Sequence, residues 1–134
     1  MDPFIITFPG SQKVDIAYKS FTIHTDQSIE NEGDETAPEP FELFLAALGS
    51  CAGIYAKSFC DAREISTRDM RLTLEATFKE GKKQMQGIQI VLYVNQAFPE
   101  KYIRAVIKSM DGCAVKNQLH PDIPVDTSVA YLSD

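Results

Sequence analysis

The feature that most constrains the fold of this chain is a long apolar segment, Phe41–Cys60. Fourteen of its 20 residues are apolar, and its only charged residues are Glu42 and Lys57. Two prolines lie just before it, where the first turn of a helix tolerates a residue that has no N–H group. The segment therefore predicts a helix. Because that helix would be apolar around nearly its whole circumference, we expect it to be buried on nearly all sides.

The same segment is too short in its uncharged part to predict a membrane span. Leu43–Ala56 has 14 residues without a charge, whereas crossing a bilayer takes roughly 20. We therefore expect a core helix and no membrane partner. Gly49 and Gly53 lie within it, and each costs about 1 kcal/mol of helix stability relative to Ala. Their presence suggests that another backbone approaches the helix closely.

The residues before the helix alternate in the manner of strands. Phe4–Phe8 is rich in β-forming residues and ends at Pro9-Gly10, which is a turn signal. Apolar and polar residues then alternate as far as Thr25, which predicts a three-stranded meander with one apolar face. A polar, acidic loop follows, Asp26–Pro38.

After the helix the pattern returns to strands and then mixes with short helices. Met70–Phe78 and Ile88–Val94 predict a hairpin closed by Glu80-Gly81-Lys82-Lys83. The remaining predicted elements are an amphipathic helix opened by Pro99 and stopped by Asp111-Gly112, a second short helix over Cys113–Leu119, and a strand over Val125–Leu132. The order βββ–α–ββ–αα–β is typical of an α+β fold. With 134 residues and no long linker, the sequence predicts a single domain, residues 1–134.

The charge distribution excludes several classes of partner. The net charge is −6, and no Lys or Arg occurs between Phe21 and Ala56. No basic stripe is available to neutralise phosphates, so the sequence argues against nucleic-acid binding. Met1–Phe8 does not resemble a signal peptide, and the three cysteines are an odd, widely spaced set. We expect a cytosolic, reduced protein with free thiols rather than a disulfide framework.

Two of the three cysteines are candidates for chemistry. Small neighbours around Cys51 leave room for a substrate or a second thiol, and Cys113 begins a predicted helix, where unpaired N–H groups favour a thiolate. Cys60 lies about 180° around the helix from Cys51. Taken singly, each is more typical of core packing than of a nucleophile. His24 and His120 give no metal-ligand spacing with the cysteines, so no metal or cofactor is expected.

Two motifs carry a resemblance to a known family. The run Pro40–Cys51, PFELFLAALGSC, resembles the central-helix signature of the OsmC/Ohr family, the osmotically induced and organic-hydroperoxide-resistance proteins. The run Cys113–Leu119, CAVKNQL, resembles that family's second-cysteine motif, C-x-V-x-x-x-L. The resemblance implies an OsmC-like fold, with antiparallel sheets around a long buried central helix. It also implies an intertwined homodimer with two interface sites, in which Cys51 and Cys113 face each other.

The resemblance also implies an activity. In the hydroperoxidase branch of the family, one thiolate attacks the peroxide O–O bond and becomes a sulfenic acid, which the other thiol resolves as a disulfide. A dithiol reductant then restores the pair. Carried over, Cys51 is the peroxidatic thiol and Cys113 the resolving thiol, and the apolar site walls favour organic hydroperoxides. Two alternatives stay open: a non-catalytic dimer that binds a small apolar or sulfur-bearing ligand, and a scaffold whose cysteines only pack.

The sequence departs from the hydroperoxidase pattern at two points. That branch uses an Arg from an early strand, held by a Glu directly after the proline that starts the helix. Here Phe41 follows Pro40 and the acid is Glu42, which we keep as a candidate site residue, while no Arg precedes Arg63. The activation of a mid-helix Cys51 is then unexplained. Five basic residues of this chain or a partner are candidates to replace the Arg: Lys13, Lys19, Arg63, Arg68 and Arg71. These departures point to a member outside the well-characterised hydroperoxidase branch.

Overall fold

The computed structural model of the protein describes residues 1–81 and 84–133. It contains helices and two separate three-stranded sheets, so the predicted α+β class is confirmed. The chain forms two compact units, Met1–Phe44 and Leu45–Asp134. The boundary falls within the long helix α1, Pro40–Asp61. The single domain expected from the sequence stays a prediction.

The N-terminal unit contains an antiparallel meander, as predicted. Its strands are β1 (Ile5–Gly10), β2 (Lys13–Tyr18) and β3 (Phe21–Thr25), in that order across the sheet. The first turn comes later than predicted, because Pro9-Gly10 lies inside β1 and the chain reverses after it, where Ser11 has a φ of 49°. The pairing of β1 with β2 is irregular just before Gly10, and such irregularities accommodate a proline that has no N–H to donate.

One face of this meander is apolar, as the alternation predicts. The register aligns Ile6, Ile16 and Ile23 across the three strands. That face is not covered within its own unit, since Phe8 is 80 % exposed and Phe21 is 63 % exposed. The sheet therefore presents an apolar surface that needs a partner.

The acidic loop after β3 is ordered around one buried carboxylate. Asp26 is fully buried, and its carboxylate accepts three hydrogen bonds. Two come from Thr36, from the hydroxyl at 2.6 Å and from the backbone N–H at 3.0 Å, and the third comes from the N–H of Gln27 at 2.8 Å. The hydrogen bonds from Thr36, with smaller contributions from Gln27 and the nearby Lys13, outweigh desolvation and hold the pKa of Asp26 well below its usual range. The N–H of Asp26 donates to the carbonyl of Pro38, which closes the loop just before α1.

Helix α1 confirms the predicted apolar helix, and its first turn explains where it begins. The carboxylate of Glu42 accepts a hydrogen bond from the N–H of Glu39 at 2.9 Å, and Pro40 is the first helical residue. Glu39 is the capping residue and Glu42 lies three residues after it. An acid at that position that accepts from the N–H of the capping residue forms half of a capping box. Proline is favoured at the first helical position because its missing N–H leaves no bond unmade.

The prediction that α1 is buried on nearly all sides is wrong for the chain alone. The residues buried inside the chain are Leu48, Ala52, Ala56, Phe59 and Cys60. They recur at helical spacing and pack in one core cluster with β5 (Met85–Val94). Elsewhere on α1, Ile54 is 55 % exposed. Within the described chain, the core cluster covers part of the helix surface, and apolar residues elsewhere on the helix stay exposed.

The glycines of α1 are not explained by contacts within the described chain. A Cβ added at Gly53 would meet nothing within 4 Å, and one at Gly49 would make only ordinary contact with Leu74 at 3.7 Å. In the part of the chain that the structure describes, α1 is also the one helix long and apolar enough to cross a membrane, judged by length and composition alone. The core helix of a soluble protein passes the same test.

The second unit contains a mixed sheet. Strand β4 (Arg71–Phe78) pairs antiparallel with β5, which confirms the predicted hairpin. Lys82 and Lys83 of the predicted turn lie outside the described residues. Strand β6 (Val125–Tyr131) pairs parallel with β5, so this sheet is not purely antiparallel as expected. Parallel neighbours need a crossover connection.

That crossover carries the second helix and the second cysteine motif. Helix α2 (Ile103–Asp111) follows a short 3₁₀ turn, Glu100–Tyr102, and confirms the predicted amphipathic helix. The helix predicted over Cys113–Leu119 is wrong, because only a 3₁₀ turn, Lys116–Gln118, forms there. The residue before a proline is disfavoured in helical conformation, and His120-Pro121 leaves too few residues for a regular helix.

A candidate thiol site

The structure brings two of the three predicted thiols together. Cys51 is partly exposed near the middle of α1, and Cys113 is fully buried in the turn that follows α2. Both are free thiols. The Cys113 side chain lies close enough to Cys51 for each thiol to shift the pKa of the other.

The pKa of Cys51 lies below that of an ordinary thiol. Partial burial raises it, but hydrogen bonds from the Cys113 thiol and from the backbone N–H groups of Val115 and Ala114 outweigh that effect and lower it. The thiolate of Cys51 is thus stabilised by the turn after α2. The effect of this turn on the pKa of Cys51 has the direction that activation without an early Arg would require.

The pKa of Cys113 moves in the opposite direction. Burial raises it, as does its hydrogen bond to Cys51, and the N–H of Lys116 at 3.5 Å from its sulfur offsets these only in part. The helix N-terminus that was expected to favour a Cys113 thiolate does not form, and the pKa of Cys113 moves against that expectation. No regular helix starts there, and N–H groups of the turn donate to Cys51. Of the two thiols, Cys51 is therefore the one that loses its proton more readily.

Glu42 and the basic residues proposed from the sequence have described contacts elsewhere. Glu42 caps the N-terminus of α1. The guanidinium of Arg63 lies 3.6 Å from the centre of the Phe59 ring and donates to the Phe59 carbonyl, at the other end of the same helix. Lys13 forms an ion pair with Asp34 at 2.8 Å. The remaining contacts are Lys19 over the Tyr18 ring, Arg71 over the Tyr93 ring, and the Arg68 N–H with the Ser66 hydroxyl.

Cys60 and the two histidines lie in other local environments. Burial raises the pKa of Cys60, which is fully buried in the core. His24 lies 2.9 Å from a carboxylate oxygen of Asp15, and His120 accepts a hydrogen bond from the N–H of Asp122. Across residues 1–81 and 84–133, no group of three or more His, Cys, Asp and Glu side chains could hold a metal ion.

An apolar cavity lies between α1 and β4. Its volume is about 390 Å³, and its lining consists of Leu45, Ala46, Gly49, Ser50, Leu72 and Leu74. Ser50 is the neighbour of Cys51 along the chain. The cavity is open to solvent on the surface of α1 that the chain does not cover, so a small apolar molecule could enter it.

The comparisons agree with this architecture and with the two motifs. Residues 33–128 match the family of OsmC-like proteins, a range that includes both cysteine motifs. The chain belongs to the OsmC family. No curated protein matches the sequence of this OsmC-like chain.

Solved structures show the same fold across nearly the whole chain. One is a protein from Psychrobacter arcticus 273-4 that is described as an osmotic stress induced and detoxification response protein. Its TM-score is 0.84 at 20 % identity, covering 97 % of this chain and 96 % of that one. An organic hydroperoxide resistance protein OsmC from Legionella pneumophila has a TM-score of 0.68 at 17 % identity, covering 97 % and 98 %. These similarities confirm the expected OsmC-like fold.

A third solved structure contains a bound small molecule. It is a protein from Vibrio cholerae named for organic hydroperoxide resistance, with captopril bound in one of its active sites. Its TM-score is 0.64 at 16 % identity, covering 96 % of this chain and 92 % of that one.

Sequence reasoning missed the backbone groups of the site. Ala114 and Val115 contribute N–H groups, and nothing about their side chains marks them. A signal was nevertheless present, because Asp111-Gly112 ends one helix and His120-Pro121 prevents another. A short segment between two such breaks has backbone N–H groups without intrahelical partners.

Proposed function

We propose that this OsmC-family protein is a thiol-dependent redox protein that reduces organic hydroperoxides through Cys51 and Cys113. The observation that carries the proposal is the opposite shift of the two pKa values within one hydrogen-bonded pair. A thiol with a lowered pKa beside one with a raised pKa suits peroxide reduction, because the thiolate is the species that attacks.

The proposed reaction balances over two steps. The Cys51 thiolate attacks one peroxide oxygen, the O–O bond breaks, and the alkoxide leaves as an alcohol after taking a proton, so Cys51 becomes a sulfenic acid. Cys113 then attacks the Cys51 sulfur, water leaves, and a disulfide forms. An external dithiol reduces this disulfide by thiol–disulfide exchange and returns both thiols.

The cavity lined by Ser50, the residue before Cys51 in the chain, supports an organic substrate class. The cavity beside the neighbouring Ser50 is lined mostly by aliphatic side chains, so an organic hydroperoxide gains more from binding there than hydrogen peroxide does. The Legionella pneumophila and Vibrio cholerae neighbours are both named for organic hydroperoxide resistance, which supports the same class for this chain.

We also propose that the protein acts as an intertwined homodimer in the cytosol. The apolar surfaces of α1 and of the N-terminal sheet are exposed in the single chain, and large exposed apolar patches mark interaction sites. A second copy would cover them, and it would also give the close approach that Gly49 and Gly53 suggest.

The test is intact-mass analysis of reduced protein after exposure to equimolar cumene hydroperoxide. We expect a rapid loss of two hydrogens, which is absent in Cys51→Ser and in Cys113→Ser and retained in the matched control Cys60→Ser. Cys113→Ser should instead gain one oxygen at Cys51. Unchanged peroxide consumption by Cys51→Ser would contradict the proposal.

A ligand-binding role is the second candidate, and the missing early Arg favours it. Together with the open apolar cavity near Ser50, this departure fits a dimer that holds a small apolar or sulfur-bearing molecule without turning it over. Native mass spectrometry of protein taken from cells would show an added mass of fixed value. A protein that is always ligand-free would count against this role.

A further inference from the structure

Two side chains converge on one oxygen of Asp111, the last residue of α2. The ammonium group of Lys116 lies 2.8 Å from its Oδ1, and the hydroxyl of Thr127 donates to the same atom at 2.7 Å. A negative charge at the C-terminus of a helix opposes the helix dipole. Helix formation therefore does not explain an acid at this position, whereas its contacts with two other elements do.

Contacts at both ends hold the turn that contains Cys113. The N–H of Cys113 donates to the carbonyl of Met110 at 3.1 Å, which ties the start of the turn to α2. The N–H of Lys116 donates to the Cys113 sulfur, and the side chain of the same Lys116 returns to Asp111. The turn is thus fastened at both ends to the end of α2.

The fastened turn contains the two N–H groups that reach Cys51. Ala114 and Val115 lie between Cys113 and Lys116, and the N–H groups of both lower the pKa of Cys51. A neutral N–H stabilises a thiolate only over a short distance, so a small displacement of the turn would remove its effect.

We propose that Asp111, together with Lys116 and Thr127, is a positioning residue that holds residues 112–116 where the Ala114 and Val115 N–H groups reach the Cys51 sulfur. The proposal rests on the proposed function only in taking Cys51 as the reactive thiol. It does not depend on peroxide being the substrate.

The sign of the effect separates positioning from simple charge. Replacing Asp111 by Ala removes a negative charge, which by itself would favour the Cys51 thiolate and make Cys51 react at lower pH. Release of the turn has the opposite effect, because the thiolate loses its hydrogen bonds. The two explanations therefore predict shifts in opposite directions.

The experiment measures the rate at which iodoacetamide modifies Cys51, followed by peptide mass spectrometry across the pH range of thiol titration. For Asp111→Ala we expect the profile to move to higher pH, with a rate at neutral pH at least about threefold slower. Thr127→Val, which keeps the shape of the side chain, should move it in the same direction by less. Asp111→Asn should restore part of the rate, because its amide oxygen still accepts from Thr127.

Matched controls remove comparable interactions in the same unit but away from the turn. Asp61→Ala breaks the exposed Lys57–Asp61 ion pair, whose atoms are 2.8 Å apart, and Thr77→Val removes the hydroxyl contact with the Gly87 carbonyl. Both should leave the Cys51 profile unchanged.

An unchanged profile in Asp111→Ala, or one moved to lower pH, would overturn the proposal even if thermal stability fell. If Asp111→Ala does not fold, Thr127→Val and Asp111→Asn decide in the same way. Failure of the proposed function would look different: the wild-type protein would not consume peroxide, while the shift in the alkylation profile would remain.

Discussion

At the scale of single residues, the lowered pKa of Cys51 comes from neutral groups. The groups that lower its pKa are one thiol and two backbone N–H groups, from Cys113, Val115 and Ala114. Backbone dipoles held in a fixed turn can stabilise an anion without a full positive charge nearby. This is a different solution from an Arg contributed by an early strand.

The reactivities of the three cysteines should therefore differ. We expect iodoacetamide to modify Cys51 at neutral pH about tenfold or more faster than Cys60. Its rate should fall only as the pH drops through the lowered pKa of Cys51, because the thiolate persists above that value. Peptide mapping of labelled protein over time measures this. Equal rates at Cys51 and Cys60, in the folded protein, would show that Cys51 is not activated.

The side chains of the site could be predicted from the sequence, whereas its backbone N–H groups could not. The motifs around Cys51 and Cys113 indicated that the two residues belong together, and in the structure each thiol shifts the pKa of the other. The direction in which a backbone N–H points depends on turn geometry. Side-chain identity at Ala114 and Val115 does not encode it, since any residue there except proline has the same N–H.

At the scale of elements, α1 shows how one acid can be explained by local structure. Glu42 was a candidate for the site because the family pattern has a Glu near this position. In the structure its carboxylate accepts from the N–H of Glu39 and completes the first turn of the helix. An acid in the first turn also interacts favourably with the helix dipole.

We expect Glu42→Ala to destabilise the protein by about 0.5–2 kcal/mol, the usual cost of losing a helix cap. Glu42→Gln should lose much less, because a Gln at this position still accepts the hydrogen bond. Chemical denaturation at one fixed protein concentration measures both. Glu80→Ala, in the exposed hairpin turn, is the control for loss of an acid, and a loss in Glu42→Ala no larger than that in Glu80→Ala would contradict the cap.

Element type was largely predictable, and element boundaries and strand direction were less so. The apolar run predicted α1, and the spacing of apolar residues predicted α2 and the hairpin, because these patterns reflect burial directly. The parallel pairing of β6 with β5 was not visible, since the alternation of side chains along a strand is the same in either direction. The helix predicted over Cys113–Leu119 does not form, because the residue before the nearby Pro121 is disfavoured in helical conformation.

At the scale of the whole molecule, the fold of the single chain does not explain why large apolar side chains are exposed. Ile54 on α1 and Phe8 on the N-terminal sheet are both more than half exposed. Burying such side chains fully is worth about 1.5–3 kcal/mol each. The chain therefore has a strong drive to associate, and the proposed homodimer would satisfy it.

We expect the wild-type protein to run as a dimer in analytical ultracentrifugation and Ile54→Asp to shift it toward monomer, with a lower thermal midpoint. A charge in an apolar interface is expensive because it loses its hydration without gaining a partner. Gln89→Asp, at an exposed position of β5, is the control and should remain dimeric. A monomeric wild-type protein, or one that partitions into lipid vesicles, would contradict this assignment of the α1 surface.

The hydrogen-bonded pair of thiols also fixes how many protons its oxidation releases. Between the lowered pKa of Cys51 and the raised pKa of Cys113, the reduced pair holds a single proton. Conversion to the proposed disulfide then releases one proton for two electrons. The midpoint potential should therefore change by about 30 mV per pH unit in that interval, half the slope of a pair that releases two protons. The protein would hold its redox poise more steadily against changes in acidity than an ordinary dithiol.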